Sequence, residues 1–159
     1  MRRKFICYLL LGLSLAWLAG CNRAEPSQPA AGLVDSDLPP VPVLDEALAA
    51  QGQPLYEQYC AECHGPQGEG QPNWKTPNED GSYPAPPHDP SGHTWHHPDG
   101  LLIDLITNGR EGFTESQMPT FSGQLSDQEI QAVLEYIKSW WGPEERGFQW
   151  QVTWQEQAQ

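Results

Sequence analysis

The sequence predicts an all-α domain with long loops, and three observations carry that prediction. Three segments repeat apolar residues at helical spacing between recognisable start and stop signals. No comparable strand pattern appears before Phe148. Sixteen prolines and 15 glycines among 159 residues, roughly a fifth of the chain, resist helix and strand interiors alike and leave much of it to loops.

The first helix begins near Asp45, whose carboxylate suits free first-turn amides, and runs to Tyr59 with a soft point at Gly52-Gln53-Pro54. Leu55, Tyr56 and Tyr59 share its apolar side. The second runs from Pro98, at a first-turn position, through Leu101, Leu102, Leu105 and Ile106 to Asn108, with Gly109 as the stop. The third opens on Ser126 with Glu129 three residues later, a capping box. It continues through Ile130, Val133, Leu134, Ile137 and Trp140/Trp141 to Gly142-Pro143. Beyond it, Phe148-Gln149-Trp150-Gln151-Val152-Thr153-Trp154 alternates, which predicts an extended tail over 143–159. Phe148, Trp150, Val152 and Trp154 would share one face and either strap back over the domain, the preferred reading, or dock on a partner.

Ahead of these elements lie two segments of another kind. Residues 1–20 combine Arg2, Arg3 and Lys4 with an apolar run from Phe5 to Leu18, then Ala19 and Gly20, the build of an export signal that is removed. The run is shorter than the roughly 20 residues a bilayer-spanning helix needs. Leu18-Ala19-Gly20-Cys21 resembles the bacterial lipoprotein processing box, which implies that Cys21 receives lipid and becomes the new N-terminus. Residues 21–43, rich in proline and without amphipathic period, read as a disordered tether to a domain over 44–142.

Charge narrows the function. The whole chain carries 21 acidic and 8 basic side chains, formally -13. Removing 1–20 leaves 5 basic against 21 acidic, or -16. Such a surface repels a phosphate backbone, so nucleic acid is excluded as a partner.

The chemistry sits in Cys60-Ala61-Glu62-Cys63-His64, a CxxCH pattern that reads as a site of covalent c-type haem attachment. One helical turn between the cysteines lets both sulfurs reach the porphyrin's vinyl groups and brings His64 under the iron. A structural zinc site would need further ligands at matching spacing, and no cysteine follows Cys63. One motif predicts one haem c.

With export added, the chain resembles a monohaem class I cytochrome c in bacterial lipoprotein form, over about residues 45–141. The family pattern of a glycine, an aromatic four residues on and CxxCH four residues after that stands here as Gly52, Tyr56 and Cys60. The resemblance implies that the first helix crosses the last through those residues, with Val133 and Tyr136 on the matching face. It implies that Met118, in Gln117-Met118-Pro119 just before the last helix, supplies the sixth iron ligand through its sulfur. It also implies that a proline carbonyl in the loop after the motif accepts from the second nitrogen of His64. Pro86 and Pro87 are the candidates, and Pro87 is preferred.

The loop from Gly65 to His97 holds His88, His93, His96 and His97, which either bind a second metal, replace Met118 on the haem, or serve as polar loop residues. Trp74, Tyr83 and Trp95 in the same loop shield a porphyrin or fill the core. The resulting expectation is an electron carrier rather than an enzyme, passing single electrons between redox proteins outside the cytoplasm, with basic docking patches on its partners. It would be anchored by lipid to a bacterial membrane, on the periplasmic or cell-surface side, alone or as the cytochrome subunit of an oxidoreductase complex. The rival expectations are a haem sensor or catalyst with an open sixth position, and a metal-handling lipoprotein built on the histidine cluster.

Overall fold

Among the described residues, five α-helices and one short 3-10 turn arise where the sequence supplies caps and apolar faces. The computed structural model describes residues 38–110 and 116–158. The signal segment, Cys21 and the tether as far as residue 37 lie outside the described residues. Helix α1 (Glu46–Tyr59) starts on Asp45, whose carboxylate accepts from Leu48 N at 2.9 Å, and runs through Pro54 without interruption. Helix α2 (Ala61–His64) follows at once. After the long loop come the 3-10 turn Thr94–His96 and α3 (Asp99–Asn108), for which Pro98 is the N-cap rather than a first-turn residue. Helix α4 (Asp127–Lys138) opens on the predicted box: Ser126 accepts from Glu129 N, and Glu129 accepts from Ser126 N at 2.8 Å. Among the described residues there is no strand, only an isolated bridge between Ser122 and Leu125.

Helices α1 and α4 cross at Gly52. A β-carbon there would run into the carbonyl of Ala132, so only glycine lets the two backbones meet. Tyr56 and Val133, fully buried, stand beside the crossing. The Tyr56 ring packs edge-on against Tyr136 at 5.6 Å and Trp140 at 5.0 Å. The rest of the core is Ile130, Leu134, Ile137 and Trp141 from α4 and its end, Leu102 and Ile106 from α3, and Phe121 and Leu125 from the connecting loop. Each such side chain contributes on the order of 1.5–3 kcal/mol by leaving water.

Two expectations need correction. Residues 143–157 are not an extended tail: they form helix α5 (Pro143–Gln157). Gly142-Pro143 separates α4 from α5, with Pro143 in the first turn and Glu144 and Glu145 complementing the amide end of the helix dipole. The buried side chains of α5 are polar, Gln149 and Thr153, one turn apart. Thr153 Oγ1 accepts from Asp99 N at 3.0 Å and so caps α3. Gln149 Nε2 donates to Asp99 Oδ1 at 2.6 Å and to Thr153 Oγ1 at 2.9 Å. The alternation of aromatics suggested a strand, but satisfying the free amides at the start of α3 is what orients this segment. Phe148, on the supposed inner face, is exposed.

The second correction concerns the lead-in. Residues 38–43 were expected to belong to the free tether, yet Pro39 O accepts from Trp150 Nε1 at 2.8 Å and Pro42 O from Arg146 Nη2 at 2.6 Å. An extended proline-rich backbone leaves its carbonyls without internal partners, and α5 supplies donors for two of them. Among the described residues, no helix is long and apolar enough to cross a membrane.

Candidate haem-binding site

The attachment motif is built by consecutive turns. Cys60 N donates to Tyr56 O at 2.9 Å, ending α1, and Cys63 N and His64 N both donate to Cys60 O, at 3.1 and 2.9 Å. These bonds put Cys60, Cys63 and His64 on one turn. Both thiols are free; Cys63 is exposed, while Cys60 is half-buried against the core. Burial, with Cys63 second, pushes the Cys60 thiol up to about 12.

His64 is buried, and its Nδ1 lies 2.9 Å from the carbonyl oxygen of Pro86. Burial lowers its pKa, with the Pro86 contact opposing. A neutral ring that donates from Nδ1 keeps the lone pair of Nε2 for a metal. Pro86 therefore takes the role expected of Pro87, and the loop register explains why. Gly70 N donates to His64 O at 2.7 Å, and Gln71 N to Ala85 O at 2.9 Å with His88 N to Gly68 O at 2.6 Å zip 68–71 against 85–88. Gly70, at φ +68°, sits so close to the Pro86–Pro87 peptide that a β-carbon would clash with it. The carbonyl of Pro87 points elsewhere and accepts from Thr94 Oγ1 at 3.2 Å.

Met118 is half-buried and packs against the same core cluster as Cys60, Ala61 and Trp95. Its segment is tied to the end of α3. Arg110 N donates to Met118 O at 2.9 Å, Thr120 Oγ1 to Thr107 O at 2.8 Å, and Ser122 N to Thr107 O at 2.9 Å. Gly109, at φ +63°, permits that approach, since a β-carbon would meet the Met118–Pro119 backbone.

The four loop histidines do not converge on one point. His88 stacks on His64, ring centres 4.0 Å apart; His93 stacks on Trp74 at 5.2 Å and meets His97 edge-on at 5.3 Å; His96 lies against Trp95 at 3.8 Å. Among the described residues, no group of three or more His, Cys, Asp or Glu side chains is arranged to hold a metal ion, so the cluster gives the metal-handling reading no support. Sequence reasoning missed the stacking of His88 on His64, for which the sequence carries no signal: 24 positions separate them, and the pairing appears only when the loop is zipped.

The residues fit a haem in two respects: two sulfurs and an imidazole on one turn, and buried polar atoms that lack a partner. Trp95 Nε1, which can only donate, is buried without a hydrogen bond, as a donor to a carboxylate-bearing cofactor would be; His93 Nδ1, which donates or accepts according to tautomer, is buried without one as well. His93 also lines a mostly apolar cleft of about 330 Å³ with Trp74, Lys75, Tyr83, Pro84 and Pro86. A second cavity, about 170 Å³ and lined by Pro42, Glu135, Lys138 and Trp150 among others, includes none of the motif residues.

Fold and site together define a class I-like c-type cytochrome domain, the class whose members carry electrons on covalently bound haem c. Residues 47–137 match the family model described as cytochrome c oxidase, cbb3-type, subunit III, and the chain belongs to that family. It is 32% identical over 93 residues to the cbb3-type cytochrome c oxidase subunit CcoP of Azospirillum brasilense, covering 58% of this chain and 28% of that one. To the subunit of the same name from Azospirillum sp. (strain B510) it is 30% identical over 93 residues, covering 58% and 29%. The matched segment thus spans less than a third of the length of these curated relatives. No solved structure shows significant similarity to the chain.

Proposed function

We propose that the chain is an exported, lipid-anchored carrier that holds one haem c and passes single electrons between partners outside the cytoplasmic membrane, one of them an oxidase complex of the kind its relatives are named for. The turn that presents Cys60, Cys63 and His64 together, with Nδ1 of His64 engaged by Pro86 O, is the observation that carries this reading. The bound haem supplies a one-electron ferric/ferrous couple. Cys60 and Cys63 hold it by thioether bonds, and His64 offers Nε2 to the iron. Met118 offers its sulfur from a loop fixed to α3, which favours the ferrous state. Trp95 and His93 offer hydrogen bonds to its acidic groups.

Cys21 carries the lipid in this reading, and more than one acyl chain makes such anchoring stable. The acidic surface includes Glu57, Glu62 and Glu69, all exposed and close in sequence to the exposed Cys63. It would speed encounter with a basic patch on a partner at low salt, an effect that fades as the screening length shrinks toward about 8 Å.

Retention of haem colour by the denatured protein on a gel, one haem per chain, tests attachment. Colour that leaves in acid acetone, or two haems per chain, overturns it. Met118→Ala should abolish the weak long-wavelength sulfur-to-iron band, lower the potential and admit carbon monoxide. A wild type that binds carbon monoxide readily would instead establish an open sixth position. Cys21→Ala should stop incorporation of labelled fatty acid; undiminished labelling removes the lipid anchor from the reading.

A further inference from the structure

We propose that His88 is a positioning residue for the axial histidine, fixing the rotation of the His64 ring that the Pro86 carbonyl leaves free. The inference rests on the reading of His64 as an iron ligand. A single hydrogen bond at Nδ1 holds one edge of an imidazole but lets the ring swing about that bond. The face of the ring needs its own support, and His88 provides it, at 4.0 Å between centres and 22° between planes.

His88 is itself locked in position. Its backbone N donates to Gly68 O at 2.6 Å, and its carbonyl accepts from Trp141 Nε1 at 2.7 Å. Its Nδ1 lies 2.9 Å from Thr94 Oγ1, while the Thr94 hydroxyl donates its one proton to Pro87 O at 3.2 Å. With that proton committed, the hydroxyl can only accept from His88, so the proton of the neutral His88 ring sits on Nδ1. Tyr56 closes the remaining approach edge-on at 6.1 Å. A chain of contacts therefore runs from Pro87 through Thr94 and His88 to the face of His64. The orientation of an axial imidazole sets the splitting of the iron d orbitals, so this chain acts on the electronic structure of the haem and not only on stability.

The test uses the full-length haem-loaded protein. His88→Leu keeps bulk and loses the flat ring; His88→Phe keeps the ring; Thr94→Val keeps shape and loses the anchor. Low-spin ferric electron paramagnetic resonance and the paramagnetically shifted ring resonances of His64 read the imidazole directly, with urea midpoints alongside. The expected result is a displaced largest g-value and moved His64 resonances in His88→Leu, the same direction but smaller in Thr94→Val, and near wild-type spectra in His88→Phe. Wild-type g-values and His64 shifts in His88→Leu overturn the proposal even if its urea midpoint falls. If His88→Leu does not fold, unchanged spectra in Thr94→Val overturn it. A low-spin spectrum that survives His64→Ala overturns the ligation itself, and the positioning role with it.

Discussion

The α1–α4 crossing and the α5 latch hold the same domain together by different means. At the crossing, Gly52 lies against the backbone of Ala132, and fully buried Tyr56 and Val133 pack around it. At the latch, side-chain hydrogen bonds tie α5 to α3 and the proline lead-in, Thr153 to Asp99 N, Gln149 to Asp99, Arg146 and Trp150 to proline carbonyls, while Phe148 packs edge-on against Trp95 at 5.5 Å. The crossing falls inside the segment that matches the family, and α5 begins after that segment ends. A contact between backbones tolerates no added atom, because neither partner can move without shifting a helix. Hydrogen bonds from side chains can be lost one at a time, each at modest cost. The crossing is thus the rigid frame of the turn that carries Cys60, Cys63 and His64, and the latch is an addition that can loosen without undoing that frame.

The largest expected effect breaks the crossing. Gly52→Val should cost about 3 kcal/mol or more, since overpacking against backbone cannot be relieved by a rotamer change. Urea denaturation of the haem-loaded protein measures it, and a loss under about 1 kcal/mol would show that the helices do not meet as described. Next comes the contact joining α4's end to the loop. Trp141→Phe removes the donor to His88 O at 2.7 Å and should cost about 1–2 kcal/mol. The same variant should speed amide exchange in residues 85–97 more than in α1, which hydrogen exchange resolves.

The latch should yield less. Thr153→Val keeps volume but leaves Asp99 N without its acceptor and removes one of the bonds of Gln149 Nε2, which keeps Asp99 Oδ1, an expected loss of about 1 kcal/mol, in the range of a removed N-cap. Its signature is early protease cleavage after residue 142 with haem retained. Release of haem spectral features at the same rate would mean that latch and frame form one unit.

The smallest effect is in pH. Burial, followed by His97, lowers the pKa of His93, and burial, followed by His96, lowers that of His97, from an ordinary value near 6.5. Below pH 6.5 the unfolded chain binds protons that the folded chain resists. Stability contributed by these groups is therefore complete above pH 6.5 and declines as pH falls toward their folded values. His97→Gln should flatten the slope of the urea midpoint between pH 6.5 and 5; an unchanged slope would assign it to other groups.

How much was legible varied with the range of the interaction responsible. The starts of α1 and α4 were readable from Asp45 and from Ser126 with Glu129, because a cap acts within three or four residues. The end of α4 was placed too late, at Gly142. The pair Gly142-Pro143 marks both a stop and a start, and the first-turn Pro143, Glu144 and Glu145 carried a helix signal that the alternation of Phe148, Trp150, Val152 and Trp154 masked.

The sequence by itself determined what depends on neighbours along the chain: the all-helical class, the caps, the glycine four residues before Tyr56, and the turn that joins Cys60, Cys63 and His64. Spacing along a helix is geometry that no tertiary contact needs to supply. Only the tertiary structure decided that Pro86 rather than Pro87 meets His64, that His88 lies on the ring of His64, and that residues 143–157 wind into a helix with polar residues inside. Each of these follows from pairing groups 22 or more positions apart, and such pairings are chosen by which buried donors and acceptors must be satisfied once the helices have packed.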